Sequence, residues 1–257
     1  LDGADVFAIC LLHSYRNADD EAALAAALEQ RYPDRPVCRS SLVAPVPNEY
    51  ERTSTTIADC YIKPSVSKYL AGVRERLSGL GYTGELLVMH SAGGVIGSDA
   101  ASERPVRLLE SGPAAGALAA SFYGALLSKP DLVSLDMGGT TAKTCVIEGG
   151  KPAIANSIEV GRIHRFKVGS GLPIVIPVLD LIEIGSGGGS IAWTDSLGLL
   201  KVGPHSAGAK PGPACYGLGG RIPTVTDANL LLGYLNPNYF LGGKMELDIN
   251  AARKAMS

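Results

Sequence analysis

Short apolar runs alternate with polar, small-residue and glycine-rich stretches along this chain, and the alternation predicts an α/β protein. Residues 5–13 (DVFAICLLH) read as a strand. Residues 17–31 (NADDEAALAAALEQR) follow as an alanine-rich helix, with acids in its first turn and Arg31 in its last, as the macrodipole favours. Residues 37–43 form a second strand, stopped by Pro45 and Pro47. A strand, a helix and a strand at this spacing make a βαβ unit and predict parallel pairing. From Glu49 a long helical pattern runs through Tyr61, Val66, Tyr69, Leu70, Val73 and Leu77 to the glycines at 79, 81 and 84. Pro64 is placed to kink or restart it. Residues 85–90 (ELLVMH) are a strand that runs into Ser91-Ala92-Gly93-Gly94. A short helix over 98–103 ends before Pro105, and a small-residue helix opens at Ser111 with Pro113 in its first turn, where a missing N–H costs nothing.

In the second half, 132–135 (LVSL) is a strand, Asp136 stands at its end, Gly138-Gly139-Thr140-Thr141 turn the chain, and Ala142–Ile147 return it. Pro152–Val168 read as antiparallel strands. Pro173–Ile184 (PIVIPVLDLIEI) is strongly apolar and ends in Gly185–Ser190, the most glycine-dense run in the chain. Ile191–Thr194 and Leu199–Val202 form a hairpin through 195–198. Gly203–Gly220 is nearly devoid of regular pattern, and a loop of that length is functional or disordered. Thr226-Asp227 opens a further helix, and Asp248 or Asn250 caps the last one. Glycine-tipped halves recur coarsely on either side of about residue 130, which gives expected domains of 1–130 and 131–257.

Composition narrows the class. With 257 residues, 46% of them hydrophobic and 19% charged, the chain can bury a proper core as one large domain or two medium ones. A net charge of −2 gives no reason to propose nucleic acid or an anionic membrane as partner. No apolar run approaches a membrane span. Five cysteines, an odd number without a CxxC pair, argue against a disulfide framework or zinc knuckle and for a reducing, cytoplasmic setting. The start lacks a basic secretion signal and enters a strand almost at once, and the last helix stops after two turns, so both ends read as cuts in a longer polypeptide.

The candidate chemistry centres on 132–143 (LVSLDMGGTTAK). Gly138 and Gly139 permit a tight turn with positive φ and leave no Cβ between the backbone and a ligand. Backbone N–H groups there can face phosphate oxygens while Asp136 holds Mg²⁺ or a water. The plainer reading is a hairpin whose glycines serve only the turn. Gly93-Gly94 and Gly185–Ser190 also follow apolar strands, and in an open α/β sheet such strand ends gather on one edge, where ligands bind. No GxxxxGK[ST] run is present, which excludes a Walker loop, and no GxGxxG opens a helix after a strand. Asp180 and Glu183, three apart in an apolar strand, fall on opposite faces and do not make a carboxylate pair. Asp180 reads as a buried polar anchor, and Glu183 is placed to reach a metal beside the glycine-rich turn. Lys143 reads as solvent-facing or as a phosphate partner. His13, His90, His164 and His205 are scattered without a metal-binding spacing, and no serine sits in a GxSxG elbow.

Several stretches together resemble the hydantoinase A / 5-oxoprolinase family: HSAGGVIGSDAASERPVRLLESGPAAGAL (90–118), LDMGGTTAK (135–143), IEIGSGGGSIAW (182–193) and VGPHSAGAKPGPACYGLGGRIPTVTDANLLLGYL (202–235), preceded by CLLHSYRN and YERTSTTIADCYIKP. The resemblance implies RNase-H-like lobes of the actin/sugar kinase/Hsp70 type, with mixed sheets, closing around ATP and Mg²⁺. A further lobe segment with its own Asp-Gly-Gly-Thr loop would precede this chain. By the resemblance, Asp136, Gly138, Gly139, Thr140 and Thr141 form a phosphate and metal loop with Asp136 catalytic, and Gly187, Gly188 and Gly189 a second nucleotide-facing turn. Many members carry Asp at the position of Lys143 and His at that of Ile182, so this version looks more like the acetone and acetophenone carboxylase or lactamase branch. The implied reaction transfers the ATP γ-phosphate to a carbonyl or enolate oxygen. It opens a cyclic amide (hydantoin, 5-oxoproline or lactam) or carboxylates a ketone, beside a B-type partner subunit. The remaining alternative is a non-catalytic nucleotide-binding piece.

Overall fold

The computed structural model describes residues 3–163 and 169–257. In chain order the elements are β1 (Phe7–Ile9), α1 (Asp19–Arg31), β2 (Val37–Arg39), α2 (Ser40–Val43), α3 (Glu49–Gly79), β3 (Leu87–Met89), β4 (Val95–Gly97), α4 (Ser98–Glu103), α5 (Ser111–Leu126), β5 (Leu132–Met137), β6 (Ala142–Glu148), β7 (Lys151–Pro152), β8 (Ile154–Ala155), β9 (Ile158–Val160), β10 (Leu172–Ile174), β11 (Val178–Leu179), β12 (Leu181–Ile184), β13 (Ser190–Thr194), β14 (Leu200–Ser206), α6 (Val225–Leu231) and α7 (Ile249–Met256). The architecture is α/β with parallel and antiparallel pairing. The chain divides into two compact units, one of 1–130 with 148–180 and one of 131–147 with 181–257. Residues 148–180 therefore group with the first half of the chain, because their strands build its core.

In the first unit β1 and β2 pair in parallel, Phe7 opposite Val37, with α1 as the crossover, as the βαβ spacing predicts. The second strand is shorter than expected. It stops at Arg39, and Ser40–Val43 turns into α2. The cause is Glu21. This first-turn acid of α1 is fully buried and accepts hydrogen bonds from Ser40 Oγ (2.6 Å), the Ser41 N–H (2.8 Å) and the Leu11 N–H (2.9 Å). Burial alone would push its carboxyl up. The hydrogen bonds from Ser40, Ser41 and Leu11 outweigh burial and hold it below the ordinary glutamate value. Arg52 of α3, also buried, donates to Leu11 O and Val46 O, both at 2.8 Å, with its guanidinium 5.7 Å from the Tyr15 ring centre. α3 is one helix with Pro64 inside it rather than two. From α3, Asp59 accepts the Val106 N–H (3.0 Å) and Thr55 Oγ1 accepts the Val175 N–H (2.9 Å). These bonds seat the helix on a core of Val106, Ile174, Ile176 and Val178, with Ala58, Leu109, Ile158 and Val160 around it.

Three expectations change here. Gly93-Gly94 does not close a strand at a ligand-binding edge. It turns β3 back into antiparallel β4, with Gly93 at φ +82° and the His90 N–H on Gly94 O. The apolar run Pro173–Ile184 is not one strand, because prolines at 173 and 177 remove ladder donors. It splits into β10, β11 and β12, which pair with β9, β8 and β6. Asp180, between β11 and β12, is exposed rather than a buried anchor. Of the antiparallel run expected over Pro152–Val168, β7 to β9 account for the described part. Residues 164–168, with His164, lie outside the described residues.

The second unit holds an antiparallel sheet in the order β12-β6-β5 and the hairpin β13-β14. Trp193 Nε1 donates to Gly203 O (2.9 Å) across that hairpin. A core of Cys215, Leu230, Leu247 and Ala252 packs α6 against α7. Of the two candidate caps of α7 it is Asp248 that accepts the Ala251 N–H (2.9 Å). All five cysteines are free. Among the described residues no helix is long and apolar enough to cross a membrane.

Glu21 gives the first test. Glu21→Ala leaves three donors without their acceptor and should lower the unfolding free energy by about 2–4 kcal/mol, read from urea denaturation. The native carboxyl titrates below its unfolded value, so its stabilisation is present above the unfolded value of about pH 4.3 and is lost as pH falls through the lower native one. The urea midpoint of the wild type should therefore fall more steeply below about pH 4 than that of Glu21→Gln.

Candidate functional site

The sequence candidates of the second unit meet at the end of the β5–β6 hairpin. Met137 pairs with Ala142, so 138–141 form the turn, closed by the Gly138 N–H on Thr141 O (2.9 Å). Asp136, Gly138, Gly139 and Thr140 are exposed and Thr141 is half-buried. Neither Gly138 nor Gly139 has positive φ, contrary to the expectation that the turn itself needs them. A Cβ on Gly138 would make only an ordinary contact, 3.5 Å from Thr141 O, and one on Gly139 would meet nothing within 4 Å. Among the described residues the N–H groups of Gly139 and Thr140 make no hydrogen bond. The fold thus imposes no demand for glycine at 139. What glycine provides there is a bare, donor-bearing main chain open to an approaching anion.

The second glycine-rich turn lies directly on this loop, with a different job from the one expected. Gly187 N–H donates to Ser190 Oγ (2.9 Å), Gly188 N–H to Gly138 O (2.9 Å) and Gly189 N–H to Gly139 O (2.7 Å). All three donors that were to face a nucleotide are spent inside the protein. The glycines are required for close approach instead. A Cβ on Gly187 would sit 2.6 Å from the Thr140 backbone N and 2.7 Å from Gly138 O, and one on Gly189 3.1 Å from Gly139 O. Gly187–Gly189 brace the loop from behind.

A third layer holds the brace. Gly188 O accepts both the N–H and Oγ1 of Thr226, each at 2.8 Å, and Gly189 O accepts the Ala207 N–H (2.8 Å). Thr226 is fixed by the capping box of α6, in which Thr224 and Asp227 bond each other's backbone N–H. The fully buried Asp227 carboxylate also gathers the Ala214 N–H (3.2 Å) and Cys215 N–H (2.8 Å). The long pattern-free stretch 203–220 is therefore tied down on Asp227. Sequence reasoning saw Asp227 only as part of a helix start. Its signal was the TxxD spacing of a capping box, Thr224 to Asp227, directly after a long glycine- and proline-rich loop.

The sheet register adds two side chains. Asp136 stands opposite Lys143, and Lys143 opposite Glu183, so the three form one row across β5, β6 and β12 and leave the same face. Among the described residues no group of three or more His, Cys, Asp or Glu side chains could hold a metal. A protein-only cage is thus absent there. Mg²⁺ keeps waters and takes one or two carboxylates plus phosphate oxygens, and one exposed Asp136 beside open N–H groups suits it. The histidines stay apart from this arrangement. His13 sits in a loop at φ 58°, and His90 accepts the Ala92 N–H. Burial, aided by Arg107, lowers the pKa of His90, while His205 lies exposed on β14.

Stacked glycine turns over a β-hairpin loop of this sequence define a class, and the sequence profile of the hydantoinase/oxoprolinase family matches residues 52–257. The chain belongs to that family. It is 43% identical over 256 residues to the uncharacterized protein MJ0964 of Methanocaldococcus jannaschii, covering 98% of this chain and 38% of that protein. It is 36% identical to caprolactamase subunit alpha of Pseudomonas jessenii, over 97% of this chain and 34% of that subunit. A nucleotide-free acetone carboxylase structure superposes with a TM-score of 0.76 at 29% identity, over 99% of this chain and 35% of that one. The chain spans little more than a third of the length of these relatives.

The brace makes a prediction independent of any ligand. Gly187→Ala places a methyl group against main chain that cannot swing aside. It should cost about 2 kcal/mol or more in thermal or urea unfolding.

Proposed function

We propose that this chain is a nucleotide-binding part of an ATP-dependent enzyme that opens cyclic amides, of the hydantoin, 5-oxoproline or lactam kind, by phosphorylating the carbonyl oxygen. The observation that carries the reading is Gly139, an exposed glycine the fold does not need, with open N–H groups and the Asp136 carboxylate beside it. Phosphoryl transfer asks mainly for positioning and charge neutralisation, which a main-chain cradle and one acid can supply. In this reading the Gly139 and Thr140 N–H groups, with the Thr140 and Thr141 hydroxyls, grip phosphate oxygens, and Gly138 lets the strand end close to them. Asp136 is the metal-side and catalytic carboxylate. Gly187, Gly188 and Gly189 hold the cradle rigid. ATP with Mg²⁺ would supply the phosphoryl group that makes the carbonyl oxygen a leaving group. We assign the two units to RNase-H-like lobes of the actin/sugar kinase/Hsp70 type, and the protein to a reducing, cytoplasmic setting that suits five free thiols. A B-type partner subunit fits relatives that are themselves named as subunits.

A second reading has a specific support. Acetophenone carboxylase gamma subunit of Aromatoleum aromaticum aligns over 99% of this chain at 34% identity, which supports the reading of this chain as part of an ATP-dependent ketone carboxylase of the acetone or acetophenone type, with the same cradle serving an enolate oxygen. The longer polypeptide, assembled with its partner, should release phosphate from ATP either with lactams and hydantoins or with ketones plus bicarbonate. Release with the second set alone would reverse the order of the two readings. Release with neither would leave a binding role without catalysis.

The cradle itself is tested by melting the 257-residue chain with and without Mg·ATP. A ligand at a hundred times its Kd stabilises by about 2.7 kcal/mol, roughly 5 °C or more at this size. Gly139→Ala should melt within about 2 °C of wild type without ligand, since its methyl meets nothing. It should also lose most of the Mg·ATP shift, as should Asp136→Ala. Full shifts in both variants would put the nucleotide elsewhere.

A further inference from the structure

We propose that Lys143 is a built-in cation of the site: its charge offsets one of the two negative charges of Asp136 and Glu183 in the nucleotide-free protein and weakens the hold on free divalent metal, so that Mg²⁺ enters with the nucleotide's phosphates. The inference rests on the phosphate-cradle reading for its biological sense, and on the strand register for its physics.

Register is the starting point. Asp136 of β5 and Glu183 of β12 belong to strands that never touch each other. Each pairs with β6, and the residue each meets there is Lys143. Side chains directly opposite in an antiparallel pair have Cβ atoms about 4.5–5.5 Å apart and share a face. Lys143 is therefore the middle position of a row with an acidic residue opposite it on either side, next to the 138–141 turn. The sequence alone sets Glu183 and Asp180 on opposite faces of one strand, with Glu183 in reach of a metal, and leaves Lys143 solvent-facing or a phosphate partner. Pairing of β12 with β6, a contact between positions forty apart in the chain, joins them instead.

The charge balance gives the consequence. Without Lys143 the row would carry two negative charges at the mouth of a phosphate loop, a natural resting place for a hydrated Mg²⁺. With Lys143 between them the row carries one net negative charge, and a divalent ion must approach an ammonium at close range. A positive charge at a neighbouring position weakens the binding of a divalent ion by about tenfold or more. A polyphosphate reverses the balance. Its negative oxygens draw the lysine as well as the metal, so the metal arrives with the nucleotide and the ammonium turns to the phosphate. Lys143 is in this sense a positioning residue that makes metal binding conditional on the nucleotide.

The test is a calorimetric titration of the 257-residue chain with MgCl2 alone, without nucleotide, for wild type, Lys143→Met, Lys143→Arg and Lys143→Met/Glu183→Gln. Lys143→Met should bind Mg²⁺ at least tenfold more tightly than wild type. Lys143→Arg, which keeps the charge, should match wild type, and the double variant should return close to it. Equal Mg²⁺ affinity in Lys143→Met and wild type would overturn the proposal. So would a gain that persists in the double variant, because Glu183 would then have no part in it. Should Lys143→Met fold poorly, Lys143→Gln carries the same expectation, and the comparison with Lys143→Arg still isolates the charge. The titration is independent of the nucleotide site. If Asp136→Ala kept its full Mg·ATP shift while Lys143→Met gained Mg²⁺, the cradle would be misplaced and the charge row would stand. The reverse pattern would keep the cradle and discard the role of Lys143.

Discussion

Two main-chain hydrogen bonds, from Gly188 to the Gly138 carbonyl and from Gly189 to the Gly139 carbonyl, govern how this protein builds its candidate site. They press one turn against another with no side chain between, which only glycine at 187 allows, since a Cβ there would overlap main chain. Because those bonds use the carbonyls of the hairpin loop, the loop is held by its oxygens while its N–H groups at 139 and 140 have no hydrogen-bond partner among the described residues. A loop held in this way has its donors fixed before any ligand arrives, and a preorganised donor set costs little reorganisation when charge comes to it. The layers behind extend the same logic. Thr226 and Ala207 hold the brace by its carbonyls, and Asp227 holds the segments that carry them.

The first unit is organised differently but under the same restriction, a chain rich in alanine and glycine with little bulk to bury. Its interior fixes geometry with buried polar anchors at the places where elements change direction. Glu21 sets the start of α2, Arg52 closes the loop after β1, Asp59 ties α3 to Val106, and Thr55 ties it to Val175 just beyond β10. Each is a charged or hydroxyl group on a helix, bonded to a backbone group of a distant segment. Such bonds contribute modestly while intact and cost much when one partner is lost. Tolerance to substitution in this unit is therefore set by a few polar positions more than by the apolar core.

Much of this was readable from the chain. The βαβ unit, the long helix from Glu49, the Asp136 hairpin and the β13–β14 hairpin all follow from local periodicity and turn residues. What was not readable shares one cause, dependence on pairing between distant segments. Nothing near Ser40 says that Glu21 will bend it out of a strand, and nothing near Asp180 says that its apolar neighbourhood divides among three partners. The same limit hid the difference between the glycine turns. Gly138-Gly139 and Gly187–Gly189 look alike as sequence, yet the first leaves the Gly139 N–H unspent and the second spends all three of its donors. Glycine density marks a place where backbone must come close to something. Only the three-dimensional arrangement tells whether that something is the rest of the chain or a space left open.

That distinction also bears on substrate. A site built from main-chain donors recognises the shape and charge of a phosphate group and is indifferent to what the phosphate is passed to. A caprolactamase subunit and an acetophenone carboxylase subunit both align with this chain over nearly its full length, so the arrangement they share with it is compatible with either chemistry. Under the proposed reading, the cradle would account for phosphate binding and for nothing about the acceptor. Acceptor preference has to come from side chains, and Lys143 lies at the boundary between the two. It stands in the row between Asp136 and Glu183, which come from separate strands. A change at any of the three alters the charge beside the hairpin loop and leaves in place the main-chain hydrogen bonds that brace it. The row can therefore vary while the cradle stays fixed.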